Sequence, residues 1–348
     1  TLNVQGKGLK RIQVLADILV ASEGPEAILA AMHFADIISA TVTEKGYHLG
    51  IGNQLDVNDP AIISDLNGNP LQTLIGYIAH HLAVRNRPVT ILSCDNRVEN
   101  GTCLQKAVAS FAQAAGLTID YENVRFPNAM VDRITPATTD AIRTSSADPM
   151  AVPTEAFREW VLEDNFAGTR PAWPDVQLVQ DVRPHELRKL RILNGAHSFL
   201  AYAGLGLRYS YVHEAIADPY LRRRTKQLMT EAGATLPAAL QDQVPDYINA
   251  LLARFDNVDL EHRLDQIAMD GSQKIPYRFL ETLRAGHGPI VAEAVRSWME
   301  FCRVQTSNGR VLNDPKALDI ARAVHSENPE AALLEVIGAR DLAAQVLG

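Results

Sequence analysis

The chain has 348 residues, 47% of them apolar and 21% charged, with a formal charge of −8. That length predicts two domains, and the acidic balance argues against a nucleic-acid surface, which needs Lys and Arg in excess. No apolar run nears the roughly 20 residues of a membrane helix, the start Thr1-Leu-Asn-Val-Gln-Gly-Lys-Gly lacks the apolar core of a signal peptide, and the three cysteines have no metal-site spacing.

A cytoplasmic protein without a metal is therefore expected. In chain order, Ile12 to Ala21 is apolar and partly β-branched, which predicts a strand, and Pro25 to Phe34 predicts a short helix. Ile37 to Thr43 is a β-branched strand ending at the turn Glu44-Lys-Gly-Tyr. Asp56 to Gly68 reads as loop. Asn69-Pro70 then opens a helix to about Arg85, with Asn as cap and Pro at the first helical position. Val89 to Asp95 reads as a buried strand and Thr102 to Ala115 as a helix. Strand, helix, strand, helix predicts a parallel sheet with helices packed on it. Ligands of such sheets sit at the carboxyl ends of the strands. Thr43, Glu44 and Lys45 lie at one such end, Asp95 and Asn96 at another.

From about Thr154 onward the patterns are mostly helical: Arg183 to Ala203, Tyr220 to Ala232, Pro245 to Arg254, Leu260 to Ala268, Tyr277 to Ala285, Gly288 to Val304 and Lys316 to His325. Thr, Ser, Asp and Pro accumulate between Thr135 and Thr154, and the domain boundary is placed there, giving 1–145 and 146–348. The first predicted helix of this half carries an uncommon combination. At 3.6 residues per turn, Leu190, Ile192, Leu193, Phe199 and Leu200 cover most of its circumference, which predicts burial. Lys189, Asn194 and His197 nevertheless fall within one broad arc. Buried polar groups need partners, which are either other protein groups or a substrate.

Six blocks in order resemble the polyol-specific long-chain dehydrogenases, the family of mannitol 2-dehydrogenase and fructuronate reductase. They are Val42-Thr-Glu-Lys-Gly-Tyr47, Ser93-Cys-Asp-Asn96 running to Glu99-Asn-Gly101, and Phe126-Pro127 to Val131-Asp-Arg-Ile134. Glu163-Asp-Asn-Phe166, Lys189 to His197, and Asp270-Gly-Ser-Gln-Lys-Ile-Pro276 complete the set. Phe157-Arg-Glu-Trp160, Asn194-Gly-Ala-His-Ser-Phe-Leu200 and Gln266 to Lys274 resemble the fructuronate reductase branch most.

The resemblance implies an α/β Rossmann-like domain followed by a mostly α-helical domain. It also implies metal-independent hydride transfer between NAD(H) and a secondary alcohol or ketone, with NADP open as the alternative. Lys189 becomes the general acid/base. A free lysine titrates at about 10.4, and burial among leucines should lower that; the structural alternative is pairing with Glu186, one turn earlier. Asn96 and Asn194 would donate amide N–H groups to the reacting oxygen, and His197 would bond a substrate hydroxyl. Glu186 would gate proton exchange or merely balance Lys189, and Asp132 would order water near it. Lys274, Arg133 and Asn100 are placed on the substrate, although Asn100 before Gly101 also fits a plain turn asparagine. Thr43, Glu44, Lys45 and Asn96 are placed on the cofactor.

The glycine-rich turn that cradles pyrophosphate is not found. Gly6-Lys-Gly8 lacks a preceding strand, and Gly204-Leu-Gly206 falls in the helical half. The expectation is a Rossmann-like domain lacking its first βαβ unit. Function is read as reversible reduction of D-fructuronate to D-mannonate by a monomer or dimer. The alternatives are a mannitol 2-dehydrogenase, a tagaturonate reductase, or a truncated sugar-acid-binding remnant that transfers no hydride.

Overall fold

A computed structural model describes residues 1–4, 6–50, 54–286 and 288–348, the side chain of Glu44 excepted. Two compact units divide the chain: Thr1–Arg133 with Asp140–Ala151 and Glu155–His185, and Ile134–Thr139 with Val152–Thr154 and Glu186–Gly348.

The first unit opens with a short antiparallel hairpin, β1 (Leu2–Val4) and β2 (Gly8–Lys10). The strand expected over Ile12 to Ala21 does not form. Those residues carry no regular strand, and Val14, Leu15 and Ile18 are 81%, 76% and 69% exposed. β-Branched side chains favour a strand only where a neighbouring ladder receives its hydrogen bonds, and no pairing is described for this segment. Helix α1 (Glu26–Phe34) and strand β3 (Ile37–Ala40) follow as expected.

The stretch read as loop contains a helix, α2 (Pro60–Leu66), with Asp59 as its cap and Pro60 at its first position. Helix α3 is Leu74–Ala83 and starts at Thr73, later than the expected opening at Asn69-Pro70. Asp65 explains the shift. Its buried carboxylate accepts from Gln72 N at 2.8 Å, Thr73 N at 3.1 Å and the Thr73 hydroxyl at 2.7 Å, and that hydroxyl caps Gly76 N at 2.9 Å. A carboxylate several residues upstream thus sets the helix start.

Strand β4 (Val89–Ser93) is buried at every residue and lies parallel between β3 and β5 (Val124–Arg125). Helices α2 and α3 fill the first crossover and α4 (Asn100–Ala114) the second. This is a parallel layer with helical connections, and its core gathers Ile75, Ile78, Ile91, Leu104, Val108 and Phe111.

A second small sheet joins β6 (Ala129–Asp132) through later strands of the unit. Helix α5 (Asp140–Ser146) and strand β7 (Val152–Thr154) intervene in sequence. Then β8 (Glu159–Glu163) runs antiparallel to β6 and parallel to β9 (Val176–Val179). Residues 159–163 and 176–179, which the sequence places in the helical half, are strands, and Val161 and Leu162 pack into clusters with Met130, Ala129 and Leu92.

Beyond α6 (Arg183–Arg188), in which the division between the units falls, regular structure is helical throughout the described residues. The core of this unit is one cluster, with Ile192, Phe199, Phe255, Leu264, Phe279, Val295 and Trp298 among its buried members. No described helix is long and apolar enough to cross a membrane.

Candidate active site

The helix that the sequence presents as one α-helix is interrupted. Residues Lys189–Asn194 form a π turn between α6 and α7 (Gly195–Gly206). The N–H of Gly195 reaches Leu190 O, five residues back, as well as Ile192 O. In an α-helix, residues three and four apart share a face and residues five apart do not. Where bonding runs over five residues, that place passes to the residue five on. Asn194 is five after Lys189, and His197 is three after Asn194 in α7. The π turn therefore gathers onto one face three residues that a regular helix spreads over a broad arc. Such turns recur at functional sites, since the wider ring costs hydrogen-bond geometry that tertiary contacts must offset.

Lys189 and Glu186 are buried, 8% and 5% exposed, and Asn194 is half-buried. His197 is 7% exposed, its ring packed 4.6 Å from Phe255 and 5.0 Å, nearly edge-on, from His262. Burial holds the His197 imidazole well below its usual titration, reinforced by His262, Arg254 and Arg278. It is uncharged at neutral pH, and its Nε2 is buried without a hydrogen-bond partner among the described residues. Burial also brings His262 down to about 4. His262 was not foreseen; it is 65 residues further on, and nothing in its local sequence marks it.

A second π turn, Pro276–Leu280, packs against the first. Here the local cause is visible: Pro276 has no N–H to give, and its ring crowds the carbonyl four residues back. Arg278 in this turn donates to the Ser198 hydroxyl at 2.7 Å and to Asn194 O at 3.3 Å. Lys274, expected on the substrate, donates to Met269 O at 2.6 Å and to Ile267 O at 3.4 Å.

In the first unit, Asn96 is exposed in the turn just past the carboxyl end of β4, and Thr43 and Lys45 are exposed beyond the end of β3. The side chain of Glu44 lies outside the described residues. The turn holding Asn96 is built by Tyr47, Ser93 and Asp95, and Asp95, which the sequence places at a ligand-binding strand end, is engaged by protein groups. Asp95 Oδ2 accepts from the buried Tyr47 hydroxyl at 2.5 Å and the Ser93 hydroxyl at 2.6 Å, while Oδ1 accepts from Arg97 N at 3.2 Å. Burial, then the bond to Asp95, pushes the Tyr47 phenol far up, so it stays a donor.

The placement of Asn100 on a substrate is corrected. Its side chain is completely buried, and its amide nitrogen donates to Ser93 O at 3.2 Å, Asp95 O at 3.2 Å and Ala129 O at 2.8 Å. Its oxygen accepts from Gly101 N at 2.8 Å and Ala129 N at 2.9 Å. An amide engaged at both ends by backbone has nothing left for a ligand. Asn128 plays a similar part, accepting from Thr102 N at 2.9 Å and so capping α4. Asp132 is buried at the end of β6, opposite Glu159 in the register. Arg133 donates through Nε and Nη2 to Glu155 O at 3.3 and 3.1 Å.

The first unit is a parallel sheet with helical crossovers, and the second is helical among its described residues beyond α6. The model of the mannitol dehydrogenase Rossmann domain matches residues 2–175, and that of the mannitol dehydrogenase C-terminal domain matches 181–345. The chain belongs to the mannitol dehydrogenase family, whose members are oxidoreductases acting on CH–OH groups. It is 40% identical to the D-mannonate oxidoreductase of Escherichia coli over 84% of this chain and 65% of that protein. It is 37% identical to a mannitol 2-dehydrogenase of Phaeosphaeria nodorum over 93% of this chain and 62% of the relative. The chain thus spans somewhat under two thirds of these relatives' length. Among solved structures, the ternary complex of Pseudomonas fluorescens mannitol 2-dehydrogenase with NAD and D-mannitol is similar, with a TM-score of 0.80 and 30% identity over 95% of this chain and 75% of that one.

Proposed function

We propose that the chain carries the chemistry of an NAD-dependent reductase of a sugar acid, interconverting D-fructuronate and D-mannonate. The observation that carries this reading is the π turn that collects Lys189, Asn194 and His197 on one helix face. NAD(H), when bound, supplies or accepts the hydride. Thr43, Lys45 and Asn96 fit such a cofactor, since they stand at the strand ends where open α/β sheets hold their ligands. No glycine-rich strand-turn-helix for the pyrophosphate is found among the described residues.

In the reducing direction the ketone carbon gains a hydride and its oxygen gains the proton of Lys189. In oxidation the lysine, uncharged, takes that proton back. Lys189 is buried, 8% exposed, so the transferred proton is kept from bulk water. Asn194 donates its amide N–H to the same oxygen as charge develops there, and Asn96 keeps the donor role that the family likeness implies. His197, neutral, bonds a neighbouring hydroxyl, and Glu186 gates proton exchange between Lys189 and solvent or balances its charge. Asp132 orders water beside the lysine, while Lys274 and Arg133 keep a role toward the far end of the substrate.

A sugar acid is favoured by the likeness to D-mannonate oxidoreductase; mannitol with fructose and tagaturonate with its alcohol are the runner-up pairs. The other class of reading is a sugar-acid-binding protein that transfers no hydride. NADH oxidation measured with D-fructuronate, D-tagaturonate and D-fructose side by side decides among the substrates. Calorimetric titration with NADH decides between the classes: absence of heat at millimolar cofactor, with no oxidation of NADH, defeats the reductase reading for this chain. In a chain that turns over, Lys189→Ala should cut kcat by about a thousand-fold or more with NADH binding retained. Unchanged turnover refutes the role of Lys189.

A further inference from the structure

We propose that Arg278 is a positioning residue for the reaction, holding the π turn open from outside so that Lys189, Asn194 and His197 stay on one face; this rests on the reading that those three meet the substrate. The π turn has no cause of its own in the sequence. Lys189–Asn194 contains no proline, and every one of its residues is compatible with an α-helix. A widened turn in such a sequence relaxes to the α form unless something outside binds the altered backbone.

Arg278 meets that requirement. One nitrogen, Nη1, bonds both the carbonyl oxygen of Asn194, where the π turn ends, and the hydroxyl of Ser198 one turn further on. Ser198 is completely buried and Asn194 is followed directly by Gly195, so the guanidinium spans the junction between widened and regular helix. Its own backbone is held in a second π turn by Pro276, and the two turns pack on each other. The proline-driven distortion thus aims the arginine, and the arginine stabilises the distortion that has no proline. A charge-assisted bond to carbonyl and hydroxyl is among the stronger hydrogen bonds available. Arg278 also lies close enough to reinforce the neutrality of His197.

The test uses the whole chain and two variants, Arg278→Met, which keeps bulk, and Arg278→Lys, which keeps charge without the planar fork. Backbone amide hydrogen exchange is followed over residues 194–199 and, as an internal reference in the same unit, over Ala317–Val324. Arg278→Met is expected to speed exchange at 194–199 about ten-fold or more relative to the reference helix, the scale of one charged hydrogen bond. Arg278→Lys is expected to lie between it and wild type. Equal acceleration of both segments, or none at 194–199, overturns the proposal. Should Arg278→Met fail to fold, Ser198→Ala carries the same expectation at a smaller factor. Turnover is the second readout: kcat should fall about ten-fold or more with the KM for NADH unchanged, and a KM change alone counts against positioning. If the wild-type chain reduces none of the three sugars, the proposed reaction fails, and the exchange data still decide whether Arg278 clamps the turn.

Discussion

Replacing Asn100 by alanine separates a structural amide from a ligand-binding one. The side chain is fully buried and joins the turn after β4 to the first residue of β6 and to the start of α4. Alanine removes the acceptor used by Ala129 N and Gly101 N, and the donor used by three carbonyls. A buried donor left without an acceptor costs about 1–3 kcal/mol, and each net hydrogen bond contributes about 1 kcal/mol. With the Ala129 N–H stranded and the carbonyl bonds gone, the expected loss is about 3–5 kcal/mol, a large fraction of a typical stability of about 5–15 kcal/mol. Asn100→Asp should not rescue it, because the carboxylate keeps the acceptor, loses the donors and buries a charge. Urea titration followed by circular dichroism reads the loss, with the exposed α4 substitution Gln113→Ala as a control expected within about 0.5 kcal/mol. A loss under about 1 kcal/mol for Asn100→Ala, together with a weakened KM for the sugar, would refute this reasoning and return Asn100 to the substrate.

His81 gives a pH dependence with a definite sign. It is 1% exposed, and burial followed by the charge of Arg85 brings it from 6.5 to about 4. Its contribution is complete above pH 6.5 and is lost as pH falls from 6.5 toward 4, because the unfolded chain takes up the proton first. At about 1.4 kcal/mol per pH unit the loss approaches about 3 kcal/mol; urea midpoints of wild type and His81→Phe at pH 7.5 and 4.5 should converge at the lower value, and parallel curves count against it. Gly101→Ala places a methyl 2.4 Å from Pro127 O and 2.6 Å from Phe126 O. Those are backbone atoms that cannot swing aside, so destabilisation of about 3 kcal/mol is expected, and thermal melting that leaves Tm unmoved would show that α4 can shift. Tyr47→Phe leaves Asp95 with Ser93 and should cost about 1–2 kcal/mol; near-UV circular dichroism and urea midpoints check it, and an unchanged midpoint excludes a structural role for the phenol.

The amino-acid sequence by itself determined the elements whose causes are local. β4 is legible because Val89-Thr-Ile-Leu92 is a β-branched, largely apolar run interrupted only by Thr90. The long helices are legible in extent: Tyr220 to Ala232 is expected and Pro219–Gly233 is found, Gly288 to Val304 is expected and Pro289–Ser307 is found. The candidate residues Lys189, Asn194 and His197 were also legible, as polar groups on a helix otherwise apolar. What only the tertiary structure decided has causes at a distance. Asp65 starts α3 through Thr73, and the absence of a partner ladder leaves Ile12 to Val20 irregular. Asn100, readable as a ligand contact or a turn residue, is held by Ala129, 29 residues on. The widened turn at Lys189–Asn194 is the sharpest case, since its external support comes from Arg278, 84 residues beyond Asn194. Helix propensity is a sum over neighbours in the chain, so it predicts 3.6 residues per turn and one broad arc. A hydrogen bond from a distant guanidinium to a single carbonyl enters no such sum.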